Sequence, residues 1–572
     1  MPEYLSPGVY IEEVDRGPKP IEGVGTAMPA FVGFTEKALI ERRIDGELVP
    51  DDLRNKPQLI TSWGQFVEHY GSFAQGAYLP QAVYGYFNNG GNRCYVISVK
   101  TLGRAQAELL GSDGKPRLLV KAKEGGYDGL RLRVKIEAPA LPEAKKPGSS
   151  PKSQPQKEAA PDGAATESPQ SDSPEPEPGD DRLPTFTLIV ERQGNNGGGW
   201  KEEEKLRGIS LERVKDDQGG QKTQLTYETR APRWVELSLP DPAAPLAACW
   251  PRTQDVALTL PPELLIASTS QQFKGEVEDR SGMEGLAALD DVTMLCIPDL
   301  MTKPPAKNGQ ESKLDLAMVK AVQRAMIDHC ELMGDRVAII DAPPDLTPQE
   351  VRQWRLNVAG YDSNYAALYY PWIEIDDTLN GRTLKIPPSG HMAGVWARND
   401  NTRGVHKAPA NEVVRGAVGL AYDVTKGEQD TLNQDGVNCI RAFPGRGIRV
   451  WGARTLSSDP AWRYINVRRL FNYVEKSIER NTQWVVFEPN DHKLWARIRR
   501  DVSAFLRTVW QDGMLFGLTP AEAYYVKCDD ETNPREQRDL GRLIIEVGLC
   551  PVKPAEFVIF RISQWAGPNA EA

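Results

Sequence analysis

The apolar and polar positions of the chain change period several times, and each period predicts a different kind of element. Residues 29–100 open on PAFVGFTE, a short strand; SWGQFVEHYG and YLPQAVYGYFNNGG follow at helical spacing, the second stopped by Gly90 and Gly91, and CYVISVK reads as a buried strand. GYDGLRLRVKIEA alternates as a further strand. From residue 285 strand and helix patterns alternate. VTMLCIPDL is followed by the helix LDLAMVKAVQRAMIDHCELMG, ended by Gly334, and then by the strand RVAIIDAP. TPQEVRQWRLNVAG predicts a helix with Thr347 as N-cap, Pro348 in its first turn and Glu350 three residues on, and SNYAALYYPWIEI a third strand. That alternation predicts a parallel sheet with helices packed on it. Residues 390–520 are helix-rich. SGHMAGVWARNDNTRGVHKAPAN is expected to end in a helix, and RYINVRRLFNYVEKSIERNTQWVVF reads as one long amphipathic helix. DHKLWARIRRDVSAFLRTVWQDGML is another, with Asp491 as N-cap and Gly513 at its end.

Both ends of the chain are extended. Near the start, Val9, Ile11 and Val14 sit among Glu12, Glu13 and Asp15, and Pro2, Pro7, Pro18 and Pro20 break any helix. Near the finish, AYYVKCDD and RLIIEVGLCPV alternate as a hairpin, and beyond Pro551 and Pro554 the run EFVIFRISQW reads as one more strand. A lone strand cannot form a core; it pairs with another sheet or stays in solvent. In the middle, residues 138–183 turn to Pro, Ser, Glu, Lys and Ala with no aromatic residue. Such a run cannot bury enough apolar surface to offset its conformational entropy and predicts a disordered, exposed segment. Strand-like alternation resumes at Phe186 and continues to about residue 260.

Composition then removes several classes of function. The 572 residues are 40% hydrophobic and 26% charged, an ordinary globular balance, and the net charge of −10 does not suit a chain built to bind nucleic acid. The seven cysteines form no CxxC or CxxH, and the five histidines (69, 329, 391, 406, 492) no HExxH or HxH, so neither a disulfide framework nor a metal site is expected. The N-terminus lacks the basic and apolar regions of a signal peptide, and no apolar run is long enough to span a bilayer, so the chain is expected to be made in the cytoplasm and remain soluble. One enzymatic alternative survives. Asp299 and Asp341 follow strand ends, where open α/β sheets place ligands and metals, and a carboxylate pair there suits Mg²⁺. No glycine-rich phosphate loop or nucleophile elbow accompanies them, and Asp at a strand end is also ordinary loop chemistry.

Several long motifs, in order, resemble the phage tail sheath family, which includes sheaths of contractile injection systems. They are LSPGVYIEEVDRGPKPIEGVGTAMPAFVGFT, GIRVWGARTLSSDPAWRYINVRRLFNYVEKSIERNTQWVVFEPN, LWARIRRDVSAFLRTVWQDGMLFG and PAEFVIFRISQ. The resemblance covers residues 1–100 and 285–565. It implies an α+β multidomain protein: an α/β sheath core with extended N- and C-terminal β arms and an inserted β-rich outer domain. The expected boundaries are an N-terminal arm (1–28), core segments (29–100 and 285–389), an inserted domain (101–284, with the linker 138–183), a C-terminal sheath domain (390–550) and a C-terminal arm (551–572).

The resemblance further implies a structural subunit, with no catalytic residue and no cofactor. It would stack as hexameric rings in a helical sheath around an inner tube protein and contract to drive the tube forward. Baseplate and tail-terminator or cap proteins would be its other partners, with sibling sheath isoforms as candidates, in a phage tail or phage-tail-like particle. The resemblance implies that arms would be exchanged between neighbours, and the residue pattern fits β-augmentation. Val9, Tyr10, Ile11 and Val14 would be donated by one neighbour and Phe557, Ile559 and Ile562 by another, to an acceptor hairpin carrying Tyr525, Val526, Leu543, Ile545 and Val547. The alternative is that both arms fold back on their own subunit. The family also turns a C-terminal-domain helix to the tube; here Lys493, Arg497, Arg500 and Arg507 form a basic stripe suited to an acidic tube, or a plain solvated face. Arg463, Arg468 and Arg469 are expected in ion pairs. A non-contractile structural or adhesive protein would equally lack catalytic motifs but would not need orphan strands at both ends.

Overall fold

A computed structural model describes residues 21–44, 47–123, 125–139, 184–194, 199–215, 221–260, 268–303, 313–377 and 382–562. The chain divides into two units, one of residues 1–101, 267–304 and 313–572, the other of residues 102–266 and 305–312.

The first unit is organised by an eight-stranded sheet. Its strands in chain order are β1 (Pro29–Thr35), β2 (Gln58–Ile60), β3 (Cys94–Thr101), β4 (Met294–Cys296), β5 (Val337–Asp341), β6 (Ala366–Tyr370), β7 (Val437–Phe443) and β8 (Gly447–Val450). Across the sheet they lie in the order β8-β7-β6-β5-β4-β1-β3-β2. The six inner strands are parallel, and β2 and β8 close the two edges antiparallel. Strands β1, β5 and β6 are buried along their whole length, as parallel strands covered on both faces must be. This explains why PAFVGFT, VAIID and AALYY read as continuous apolar runs rather than as alternation.

Helices α1 (Leu79–Asn88), α2 (Leu316–Met333), α3 (Pro348–Gln353), α4 (Ser389–Arg403), α5 (Ile465–Asn481) and α6 (His492–Gln511) accompany the sheet and its C-terminal extension. The local start and stop signals act where the sequence puts them. Thr347 and Glu350 form a capping box on α3, Gly334 ends α2 in the left-handed region, and Asp491 caps α6 by accepting from the Leu494 N–H.

Three sequence expectations are corrected. The segment SNYAALYYPWIEI is two strands: β6 stops before Pro371, which has no N–H to give a ladder, and Ile373–Asp377 joins a separate three-stranded sheet with Arg382–Ile386 and Ala417–Leu420. In SGHMAGVWARNDNTRGVHKAPAN the helix is the first part, Ser389–Arg403, and the loop follows. Gly390 and Gly394 are inside it because α4 crosses α1 backbone against backbone; a Cβ on Gly390 would lie 2.4 Å from the Ala82 Cα. The helix beginning at Ile465 ends at Asn481, and Gln483–Val485 continues as a short 3-10 turn.

The second unit is β-rich. A five-stranded antiparallel sheet runs in the order Gln221–Tyr227, Trp200–Lys215, Phe186–Gln193, Leu132–Glu137, Gln254–Ala257; a three-stranded sheet runs Val235–Ser238, Pro116–Ala122, Gln106–Leu110. Leu118, Val120, Val134, Ile136, Phe186, Leu188 and Trp250 share one core. The linker expected over 138–183 lies, from residue 140, outside the described residues. The strands on either side of it are paired: Glu137 lies opposite Thr187 in the antiparallel register of Leu132–Glu137 with Phe186–Gln193.

Candidate assembly site

The candidate carboxylate pair is consumed by structure. Order reverses at β1, whose neighbours β3 and β4 come from distant parts of the chain, and this is where an α/β sheet would place a ligand. Asp299 sits there, fully buried. Its carboxylate accepts from the Phe34 N–H at 2.6 Å, the Leu79 N–H at 3.2 Å, the Thr302 hydroxyl at 3.2 Å and, more closely still, the Tyr78 N–H. It therefore supplies the N-terminal cap that α1 lacks locally. Gly33 makes room: a Cβ would lie 2.3 Å from the Asp299 Oδ2. Asp341 does the same for α4, accepting from the Ser389 N–H at 2.8 Å and its hydroxyl at 2.6 Å. Burial pushes both carboxyls up to about 7 against the pull of these hydrogen bonds.

The hairpin forms. β9 (Tyr524–Lys527) and β10 (Glu546–Leu549) pair antiparallel, with Tyr525 opposite Gly548 and Val526 opposite Val547. Tyr524, Val526, Leu543, Ile545, Val547 and Leu549 pack on the apolar face of α6, around Leu494, Ile498, Val502, Phe505 and Val509. Leu543 and Ile545 lie just before β10 rather than in it, and Tyr525 is exposed. Among the described residues the hairpin is a two-stranded sheet, so each strand has one ladder edge unfilled.

Past Pro551 the chain is held and then released. The Asn466 amide donates to the Val552 carbonyl at 3.1 Å. Glu556 is gripped by the Arg454 guanidinium at 2.9 and 2.7 Å, the Tyr464 hydroxyl at 3.0 Å and the Asn433 amide at 2.7 Å. Burial opposes its charge, yet Arg454 and Asn433 hold the carboxyl below its ordinary value. Immediately beyond, Phe557, Val558, Ile559, Phe560 and Ile562 are 70–94% exposed, and no ladder includes them. The run Phe557–Ile562 thus has strand composition but no ladder partner among the described residues.

Val9, Tyr10, Ile11 and Val14 lie outside the described residues. The segment that follows them is fixed along α5. The Asn481 amide donates to the Glu22 carbonyl at 3.0 Å, the Val24 N–H to the Ser477 hydroxyl at 3.1 Å, and Arg469 to the Thr26 carbonyl at 3.0 Å. The Thr26 hydroxyl donates to Asp400, itself paired with Arg469. This segment borders a polar cavity of about 610 Å³ whose walls include Arg93, Asp291, Lys476 and Arg480.

On α6, Lys493, Arg497, Arg500 and Arg507 are all exposed and fall within roughly 80° of arc at 100° per residue. The Arg497 guanidinium stacks 3.9 Å above Trp484 and Arg500 pairs with Asp501 at 3.0 Å, which leaves Lys493 and Arg507 as the least engaged of the four. Arg468 is buried against Trp462 and Tyr365 and pairs with Glu475, while Arg469 takes Asp400. Sequence reasoning missed the grips on Glu556 and Thr26. The only local hint of the first was a lone acid at the head of an apolar run.

Two family models match: one described as the phage tail sheath protein central domain over residues 302–456, the other as the phage tail sheath C-terminal domain over residues 457–564. The tail sheath protein of Vibrio phage KVP40 is 25% identical over 312 residues, 48% of this chain and 45% of the relative. That of Salmonella phage ViI is 27% identical over 244 residues, 40% of this chain and 37% of the relative. The chain therefore spans less than half the length of these two. A solved extracellular contractile injection system, the PVC sheath complex in its contracted state, aligns with a TM-score of 0.53 at 23% identity over 99% of both chains. The contracted helical sheath of the anti-feeding prophage aligns with a TM-score of 0.52 at 23% identity, over 98% of this chain and 99% of the other. At these identities the likeness is one of fold.

Proposed function

Since residues 302–564 carry the central and C-terminal domains of the phage tail sheath family, we propose that the chain is a structural sheath subunit of a contractile tail or injection system. It polymerises as stacked hexameric rings around an inner tube, with a baseplate and a terminator or cap at the ends, and its contraction drives the tube through a target envelope. Neighbouring subunits stay linked by strand exchange: the N-terminal arm with Val9, Tyr10, Ile11 and Val14, and the C-terminal arm with Phe557, Ile559 and Ile562, fill the free edges of a neighbour's β9–β10 hairpin. The exposed basic residues of α6 meet an acidic tube through salt-sensitive contacts that break easily on contraction.

The observation that carries this reading is the apolar run 557–562, released into solvent directly after the half-buried Glu556 is gripped by Arg454. Five large apolar side chains exposed within six residues need a partner surface, and a strand-like run with a free ladder is what an unfilled hairpin edge accepts. The role is structural: Asp299 and Asp341, the candidate catalytic pair, are committed to capping α1 and α4.

Negative-stain electron microscopy of the purified chain, alone and with residues 1–22 or 557–572 deleted, tests the reading. Hollow helical tubes are expected from the full chain, and folded monomers from both deletions. Tubes of normal appearance from either deletion would sink strand exchange.

A further inference from the structure

Helix α5 touches the root of both arms. Its N-cap residue Tyr464 and its second residue Asn466 hold the C-terminal root, through Glu556 and the Val552 carbonyl. Arg454, which makes the charged contact to Glu556, is itself bridged to Tyr464 through the backbone. From Arg469 onward the same helix holds the N-terminal root: Arg469 at Thr26, Tyr473 against Gly23, Ser477 at Val24 and Asn481 at Glu22. The groups held are the Val24 N–H, at 3.1 Å, and the Glu22 carbonyl, at 3.0 Å. Ser477 and Asn481 are four apart on a helix, roughly 6 Å. Both side chains therefore lie on one stripe of the helix, and each reaches a backbone group of the arm root. At Gly23 the fit is tight: a Cβ would lie 2.1 Å from the Tyr473 hydroxyl oxygen.

A helix does not stretch under modest load, because each turn is closed by its own hydrogen bonds. Its body is also embedded. Leu470 and Val474 pack in the cluster formed with α6, and Arg469 is locked to Asp400 over the Trp396 ring. Two chain segments tied to opposite stretches of one embedded helix cannot move independently. We propose that α5 is a two-ended arm anchor. It fixes both arm roots to each other and passes displacement of one arm to the other within the subunit, with Glu556 at one end and Ser477 and Asn481 at the other as positioning residues. This rests on the reading of the arms as links between subunits. It adds where, inside each subunit, the two links are joined.

The test uses the full chain with Glu556→Ala, its conservative counterpart Glu556→Gln, and the double variant S477A/N481A. Ser477 is fully buried and Glu556 pairs with the buried Arg454, so the melting temperature should fall somewhat in Glu556→Ala and in the double variant, and exchange in the middle of α5 separates a loosened root from general destabilisation. Hydrogen exchange on the purified chain should rise tenfold or more at residues 552–558 in Glu556→Ala, less in Glu556→Gln, and at 22–26 in the double variant. The middle of α5 should not change. Tubes assembled from Glu556→Ala or the double variant should be shorter and lose helical order by cryo-electron microscopy. Unchanged exchange at both roots would overturn the anchor. Loosened roots in tubes of parental order would also overturn it, since the roots would then carry no load. Normal tubes from an arm-deleted chain would instead overturn the reading of the arms, and that control separates the two failures.

Discussion

Asp400 and Arg469 meet as a two-point pair, 2.9 and 2.5 Å apart, with side chains only 3% and 4% exposed. The carboxylate also takes the Thr26 hydroxyl, and the guanidinium the Thr26 carbonyl. One buried charge pair thereby joins α4, α5 and the N-terminal root. Removing one partner leaves the other charged and buried, which costs about 3–5 kcal/mol. Arg469→Ala should lower unfolding stability by that amount in urea titration. Arg469→Lys, which keeps the charge and loses the fork, should lie between the two.

The two capping carboxylates predict a pH dependence. Each has a folded pKa of about 7 against an ordinary 3.8, so the folded state binds the proton more tightly than the unfolded chain. Their contribution to stability is fully present below pH 4 and is lost as pH rises through 7. Asp341→Asn can accept from the Ser389 N–H and donate to its hydroxyl, so it should be near neutral at pH 5 and more stable than the parent at pH 8. Asp299→Asn would aim an NH₂ group at backbone N–H donors and should lose about 2–4 kcal/mol at either pH. Denaturant midpoints of both variants at pH 5, 6, 7 and 8 check the contrast.

Gly390→Ala forces a methyl to 2.4 Å from the backbone of Ala82, where α4 and α1 cross. Neither backbone can yield without shifting its helix, so a loss of about 1–3 kcal/mol or more is expected. Calorimetry of the variant would show it as a lowered melting temperature.

Glu137 and Thr187, on either side of residues 140–183, are cross-strand neighbours, so a short connection can join them. Replacing residues 140–183 with a short Asn-Gly turn should leave melting temperature and tube formation unchanged, and a shorter loop lowers closure entropy slightly. Loss of tubes in that variant would assign the segment a part in assembly.

On α6 the double variant Lys493→Glu/Arg507→Glu reverses the two least engaged basic residues without disturbing the Arg497–Trp484 stack. If the stripe faces an acidic tube, co-sedimentation of sheath with tube should fall at low salt, and the difference from the parent should shrink as salt is raised. Equal binding at all salt concentrations would leave the stripe a solvated face.

The likeness to tail sheaths was legible in the sequence because it is carried by long contiguous motifs. Local structure was legible where its cause is local. The capping box of Thr347 and Glu350, the stop at Gly334 and the Asp491 cap each act within one helical turn, so spacing alone places them. The buried parallel strands were legible as continuous apolar runs, and the hairpin as two alternating ones. What only the tertiary structure decided are the contacts between residues far apart in the chain. Asp299 and Asp341 looked like ligands because they follow strand ends, and the fold brings the bare N-termini of α1 and α4 to them. The helix in SGHMAGVWARNDNTRGVHKAPAN was expected at its end and lies at its start, where Gly390 and Gly394 let two helix backbones touch. Thr26 finds Asp400, 374 residues away, and Arg454 finds Glu556, 102 residues away. A sequence period records which face of an element is buried. Which group waits on the other side is set by strand order and by where each helix returns to the sheet.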